Sequence, residues 1–336
     1  MAKILYLGNV LNGHGLNKTT IETLGKDLSL YYDIVLKSSK INQTLRLLDM
    51  LWAVLTSGKS IILIDTYSTK AFYFAFFSGM LCRITSKKYV IILHGGNLPK
   101  RFEAHPSKSF FLLSGAQAIV APSPYLGNSV RDNFGLRASI IPNSIDIMGY
   151  RFLRREDYGV LKLLWVRAFD KIYNPLLALD IVSILIKKGY EARLCMIGPD
   201  KDGSMEEARE YCRTLNLDHV VEFTGQLPKD VWLEKSYDYN LFINTSKFDN
   251  MPVTLIEAMA TGLPVVTTNV GGIPYFVENK KEVLFAQSGE AIEFVENIES
   301  ILLSDSLRLK LVNNARSKAE SFDTERVLKK WTRVLS

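Results

Sequence analysis

Short runs of consecutive apolar residues recur along this chain, each separated from the next by a helix-length stretch, and this recurrence constrains the fold more than any other feature. Residues 2–8 form the first run, and Ile34-Val35-Leu36, Ile61-Ile62-Leu63-Ile64, Tyr89-Val90-Ile91-Ile92-Leu93 and Ala118-Ile119-Val120 follow. A strand with one solvated face alternates apolar and polar residues. Continuous runs instead predict strands buried on both faces, as in a parallel sheet with helices packed on each side. The stretches between them carry apolar residues at helical spacing, from about Lys18 to Leu28 and through Leu45, Leu48, Leu51, Trp52 and Leu55. This predicts an α/β, doubly wound, Rossmann-like domain over residues 1–150, closed by Ile140-Ile141-Pro142-Asn143-Ser144-Ile145-Asp146.

The charged, irregular stretch 151–157 reads as a linker, and a second series of the same kind then begins. Leu161 to Val166 reads as a strand, Asn174-Pro175 opens a helix that Gly189 ends, and Ala192 to Ile197 is a further strand. Ser204 and Glu207 have the spacing of a capping box before a helix. Val220 to Phe223, Tyr239 to Ile243, Val265 to Thr268 and Glu282 to Phe285 extend the series, after which helices are expected near 291–303, 306–321 and 324–335. The expected division is a first domain at 1–150, a second at 151–320 and a last helix within 321–336, where Val327, Leu328, Trp331 and Val334 share one face. Two such domains in tandem predict a cleft between them, bordered by strand ends.

At 336 residues the chain is long enough for two cores of roughly 150 residues each. Cys82, Cys195 and Cys212 are odd in number and form no C-x-x-C pair, which argues against a disulfide framework and for a reducing compartment. The apolar run after Lys3 is too short for a signal peptide, so a cytoplasmic protein is expected. No stretch approaches the roughly 20 apolar residues that cross a bilayer. The aromatic segment 71–82 is either a helix packed in the interior or a surface helix dipping into lipid beside Arg83, Lys87 and Lys88. A net charge of +6 without aromatic stacking motifs gives no ground for expecting nucleic-acid binding.

The chemistry concentrates around Phe248-Asp249-Asn250-Met251-Pro252-Val253-Thr254-Leu255-Ile256-Glu257, between the runs at 239–243 and 265–268. Pro252 suits a first helical turn, and Gly262 with Pro264 supplies a stop. The start of that helix presents backbone N–H groups just past the end of a buried strand, where open α/β sheets bind anions. Asp249 in the loop and Glu257 on the helix flank this start, so the ligand is expected to carry both phosphate and hydroxyl groups, as a nucleotide sugar does. Arg167 directly follows the strand 161–166 and could clamp a diphosphate in fork geometry, or be a surface arginine; Lys171 is a second cation nearby.

Three further loops carry candidate groups. The segment Gly8 to Gly15 fails both the phosphate-loop and the dinucleotide patterns, leaving Gly13 and Gly15 in either a small-residue loop that admits an anion or a plain turn. His94, before Gly95-Gly96 at a strand end, is read as a hydrogen-bonding group for a sugar or phosphate rather than a satisfied turn histidine. Asp200-Lys201-Asp202 resembles a metal-holding D-x-D pair but sits among Gly198, Pro199 and Gly203, and reads as a solvated turn. The four histidines lie far apart in sequence, so no metal site is expected.

Taken together, these residues resemble the retaining, nucleotide-sugar-dependent glycosyltransferases of family 4, glycosyl transferases group 1, which have the GT-B fold. The resemblance covers essentially the whole chain and is carried by Asp249 to Val266 with Gly271-Gly272-Ile273-Pro274, supported by Ile141 to Asp146, Met196-Ile197-Gly198, Phe223-Thr224-Gly225 and His94-Gly95-Gly96. It implies that Glu257 holds the donor ribose, that Asp249 and the backbone from Asn250 through Thr254 contact the transferred sugar, and that Arg167 binds the diphosphate. Joined to the position-based readings of His94, Gly13, Gly15 and Lys171, it gives Asp249, Glu257, Arg167 and His94 as the catalytic candidates, with Asn250, Met251, Pro252, Val253, Thr254, Gly13, Gly15 and Lys171 as the donor-binding candidates. Two positions depart from the family pattern: Asp249 stands where the first glutamate of a Glu-x7-Glu pair is usual, and Ile172 where a lysine is usual.

The resemblance further implies an acceptor-side first domain, a nucleotide-sugar-binding second domain and a return helix at the C-terminus packing on the first. The implied activity is transfer of a hexose from a UDP- or GDP-sugar to an acceptor hydroxyl, in cell-surface polysaccharide or lipid-linked glycan synthesis. No metal or other cofactor and no nucleic acid are implied, and peripheral attachment to the inner face of a membrane is a further expectation. The alternatives are a non-catalytic protein that binds nucleotide sugar or glycan, and a GT-B epimerase or phosphorylase.

Overall fold

A computed structural model describes residues 2–10 and 19–336. The chain divides into two compact units, residues 1–143 with 324–336, and residues 144–323. In the first unit the elements run β1 (Lys3–Leu7), α1 (Thr20–Leu28), β2 (Asp33–Lys37), α2 (Gln43–Thr56), β3 (Ile61–Thr66), α3 (Phe72–Ile84), β4 (Tyr89–Leu93), α4 (Leu98–Ala104), α5 (Pro106–Ser114), β5 (Ala118–Ala121), α6 (Pro124–Phe134) and β6 (Ser139–Ile140). The second holds β7 (Leu161–Val166), α7 (Pro175–Lys187), β8 (Ala192–Ile197), α8 (Ser204–Thr214), β9 (Val221–Gly225), α9 (Lys229–Ser236), β10 (Leu241–Asn244), α10 (Val253–Thr261), β11 (Val265–Thr268), β12 (Leu284–Ala286), α11 (Ala291–Leu303) and α12 (Asp305–Glu320). Helix α13 (Thr324–Leu335) returns to the first unit.

Each unit is built on one six-stranded sheet, ordered β2-β1-β3-β4-β5-β6 in the first and β12-β11-β10-β7-β8-β9 in the second, with every pairing parallel. The continuous apolar runs have the expected cause. Along β7, Leu161, Leu163 and Trp165 enter one core while Leu164 and Val166 enter the core on the opposite face. Leu5 and Leu7 of β1 likewise separate from Ile4 and Tyr6. Because successive side chains alternate faces, a strand covered on both sides is apolar at consecutive positions where it is covered, as at Leu163 to Val166.

Helix starts follow local chemistry. Thr19 and Glu22 form a capping box on α1, and the Asn42 side chain accepts from the N–H groups of Thr44 and Leu45 to start α2. The capping box read at Ser204 is corrected. Gly203 occupies the cap position, and Asp202 Oδ1 takes the Ser204 N–H at 3.1 Å. The acceptor is thus the preceding aspartate, while Ser204 is itself the first helical residue.

Two other expectations change. The stretch 151–157 has no regular structure, yet it is anchored: the Arg155 guanidinium donates to the carbonyls of Leu153, Ser236, Tyr239 and Thr261. The division between units falls before it, at Asn143, because Ile145 and Tyr150 pack into a core of the second unit. The aromatic helix α3 is packed, with Phe72 and Ala75 fully buried and Phe74 and Phe76 partly buried against the same core. In the first unit, α13 sets Val327, Leu328, Trp331 and Leu335 against Ile4, Tyr6, Ile21 and Leu28, so the last helix completes the core on that side of the sheet.

Candidate active site

In a parallel sheet all strand C-termini lie along one edge, and in the second unit that edge gathers Arg167 after β7, Gly198 after β8, the loop 245–252 after β10 and Gly271-Gly272 after β11. The loops are tied to each other. The Lys247 N–H donates to the Ile172 carbonyl at 2.7 Å, and the Thr245 hydroxyl, which accepts from Trp165 Nε1, donates to the carbonyls of Tyr173 and Asn174. Beneath them, Asn244, Ser246, Thr267 and Thr268 are buried and linked through their side chains and the Ser246 carbonyl. A satisfied buried polar layer of this kind fixes the loop above it.

Arg167 and Asp249, 82 positions apart in the chain, form an ion pair through Nη2 and Oδ2, and both side chains are largely buried. The guanidinium also lies over the Tyr173 ring, 4.9 Å from its centroid. Burial raises the Asp249 carboxyl above the ordinary carboxylate range, against the opposing pull of Arg167 and the Asn250 N–H. Among the described residues, Arg167 Nε is buried without a hydrogen-bond partner. An orphaned charged donor in the interior is costly, and such groups concentrate where a ligand completes them.

Glycines let the backbone approach closely behind this pair. Gly198 has φ +157°, and a Cβ there would stand 1.8 Å from the Arg167 carbonyl oxygen. Gly271 has φ +55°, and its Cβ would stand 2.0 Å from the Asp249 carbonyl oxygen, which accepts the Gly272 N–H at 2.8 Å. The Gly-Gly turn after β11 is thus a backbone brace for Asp249 and Asn250.

Helix α10 starts at Val253 with Pro252 in the cap position, which gives its first turn no side-chain cap. Asn250, Met251 and Pro252 are buried, and Val253 and Thr254 half-buried. Glu257 lies in the second turn, buried, and is not joined to Arg167. Its Oε1 accepts from the Tyr150 hydroxyl at 2.7 Å and from Lys229 Nζ at 2.9 Å. Burial, then the Glu257 charge, raises the Tyr150 phenol well above its ordinary value, so it stays a donor. Sequence reasoning missed Tyr150 and Lys229, whose only signal was that they are polar residues next to segments already singled out.

Lys171 stands apart from the pair. It is exposed and lies 3.7 Å from Glu207 of α8. Asp200 and Asp202 are occupied by the turn that starts α8, accepting the N–H groups of Lys171, Gly203 and Ser204. Among the described residues, no group of three or more His, Cys, Asp or Glu is arranged to hold a metal.

In the first unit, His94 follows β4 and is buried. Its Nε2 lies 2.7 Å from Asp65 Oδ1, which also accepts the Tyr6 hydroxyl at 2.9 Å, and its ring stacks on Tyr67. A carboxylate partner makes Nε2 the N–H donor, leaving Nδ1 for any other group. The pairing of His94 with Asp65 has no counterpart in the sequence reading. Gly13 and Gly15 lie outside the described residues.

Comparison with known proteins places this arrangement. Residues 154–318 match the family model described as glycosyl transferases group 1. An uncharacterised glycosyltransferase of Haemophilus influenzae is 26% identical over 160 residues, 47% of this chain and 44% of that protein, so the match spans under half of the relative's length. Sucrose-phosphate synthase from Thermosynechococcus elongatus superposes with a TM-score of 0.81 at 16% identity, covering 99% of this chain and 98% of that one. The Anabaena HepE structure in complex with UDP and glucose gives a TM-score of 0.77 at 17% identity, covering 100% and 99%. Residues 154–318 therefore carry the match to the glycosyl transferases group 1 family, within a chain that has the two-sheet GT-B fold.

Proposed function

We propose that this protein is a retaining glycosyltransferase that moves a hexose from a UDP- or GDP-sugar to an acceptor hydroxyl, with the nucleotide sugar bound by the second unit and the acceptor side assigned to the first. The observation that carries the reading is Arg167. Its guanidinium is buried at the strand edge, held by Asp249 and Tyr173, and keeps one donor without a partner among the described residues, beside the uncapped start of α10. A diphosphate supplies anionic oxygens of the kind such donors need. Glu257, held by Tyr150 and Lys229, is the acceptor for ribose hydroxyls, and Asp249 with Asn250 to Thr254 faces the transferred sugar. The Anabaena neighbour, a complex with UDP and glucose, supports a nucleotide-sugar donor.

In this reading the bond from the anomeric carbon to the diphosphate oxygen breaks as the acceptor oxygen bonds to the same face. The acceptor proton passes to the departing phosphate oxygen, so no protein base is needed. Arg167 and the first N–H groups of α10 meet the charge that develops on the diphosphate, a preorganised arrangement that needs no metal. In the first unit, His94, turned by Asp65, offers Nδ1 to a hydroxyl of the acceptor. The acceptor is a hydroxyl of a glycan or lipid-linked glycan. The test is incubation with a panel of labelled UDP- and GDP-sugars and glycan acceptors, with the anomeric configuration of the product read by NMR. Transfer with retained configuration supports the reading; an inverted product, or release of sugar only when inorganic phosphate is added, overturns it.

A further inference from the structure

Helix α2 carries an apolar stripe on its outside. Leu45, Leu48, Trp52 and Leu55 are each at least half exposed, at spacings of three, four and three residues, and exposed Ile41 just before the helix continues the line. The inner face of the same helix is formed by Met50, Ala53 and Val54. A soluble helix normally turns polar residues outward, so a second apolar face on α2 calls for something to cover it.

Charge says what. Between residues 34 and 102 the sequence has ten Lys and Arg against two acids, a local balance of +8, more than the +6 of the whole chain. Both acids are engaged: Asp49 with Lys37, and Asp65 with His94 and Tyr6. Lys40 precedes α2, Lys59 follows it, and the Lys87 ammonium sits on its last carbonyls, those of Val54 and Leu55. A second copy laid on this stripe, parallel or antiparallel, would bring these lysines against lysines. A nucleic acid would meet the charge but leave four large apolar side chains without apolar cover. A bilayer surface rich in anionic lipid meets both: headgroups for the lysines and the acyl boundary for Leu48 and Trp52.

We propose that α2 is the membrane-docking surface of this protein, lying in the plane of an anionic lipid leaflet with Leu45, Leu48, Trp52 and Leu55 inserted. Of the two alternatives for α3, the packed one holds for Phe72, Phe74 and Phe76, so lipid contact is assigned to α2 instead, and this assignment does not depend on the identity of the donor. The four tryptophans make the test specific, because Trp165, Trp232 and Trp331 are buried and only Trp52 is exposed. The full chain is mixed with vesicles of phosphatidylcholine alone and of phosphatidylcholine with phosphatidylglycerol. Sedimentation with the anionic vesicles only, weakened by salt and accompanied by a blue shift of tryptophan emission, is the expected result. Leu48→Glu, at an exposed position and with an unchanged melting curve, should weaken sedimentation at least ~10-fold, by analogy with the cost of charge on an interfacial apolar face. Trp52→Phe should sediment without the shift. No sedimentation, equal sedimentation of Leu48→Glu, or a light-scattering dimer that Leu48→Glu dissolves would overturn the proposal.

Discussion

Arg167 and Asp249 hold one another past the ends of β7 and β10, and the pair is buried, with Arg167 Nε unmatched among the described residues. The planar guanidinium keeps Asp249 through Nη2 while holding Nε as a second donor in a fixed direction, which the rotatable ammonium of a lysine does not do. Arg167→Lys keeps the charge but loses the fork. Turnover with the nucleotide sugar should fall on the order of 10²- to 10³-fold, the range for loss of one preorganised donor to a developing anion. Steady-state kinetics measures it, and the loss should appear in kcat more than in KM.

Gly271 braces Asp249 from behind. Gly271→Ala adds a Cβ at 2.0 Å from the Asp249 carbonyl oxygen, at a φ of +55°. The substitution should cost about 2 kcal/mol, from backbone strain and a forced shift of the loop. Denaturant unfolding reads the stability. The same variant should bind nucleotide more weakly, because the loop that moves is the one that carries Asp249.

Much of this architecture is legible in the sequence, and the reason is local. Strand and helix identity depend on neighbours within a few positions, so the continuous runs at 61–64, 89–93 and 161–166 declare strands buried on both faces. The partners in the site are not local. Glu257 meets Tyr150 from 107 positions away, and His94 meets Asp65 across two strands of one sheet. No periodicity encodes those contacts; they follow from strand order and loop packing. The misread start of α8 has the same origin on a smaller scale, since Asp202 and Ser204 are both competent caps and only backbone geometry chooses between them.

In the first unit, Asp65 is the common acceptor for Tyr6 and His94. Asp65→Leu would strand two buried donors, at about 1–3 kcal/mol each. Thermal unfolding should show a clear loss of stability in this variant, whereas Tyr6→Phe, which removes one donor and strands nothing, should cost less.

The three cysteines should be silent in the native protein. Burial pushes the Cys82 and Cys195 thiols up to about 12 and the Cys212 thiol up to about 11. An ordinary thiol ionises near 8.5, so near pH 8 a thiol-reactive reagent should find almost no thiolate in the folded chain. All three should react at once after unfolding in guanidinium.

The central claim is that the second unit binds a nucleoside diphosphate with Glu257 on the ribose side. Glu257→Gln is the sharpest probe, because it keeps the size of the side chain and an oxygen for Tyr150 while removing the charge. Calorimetric titration of UDP and GDP into the native protein and into this variant, with circular dichroism to verify its fold, measures the claim directly. The account predicts that one of the two nucleotides binds the native protein and that the variant loses at least ~10-fold in affinity, about 1.4 kcal/mol. A folded variant that binds that nucleotide as tightly as the native protein would contradict it.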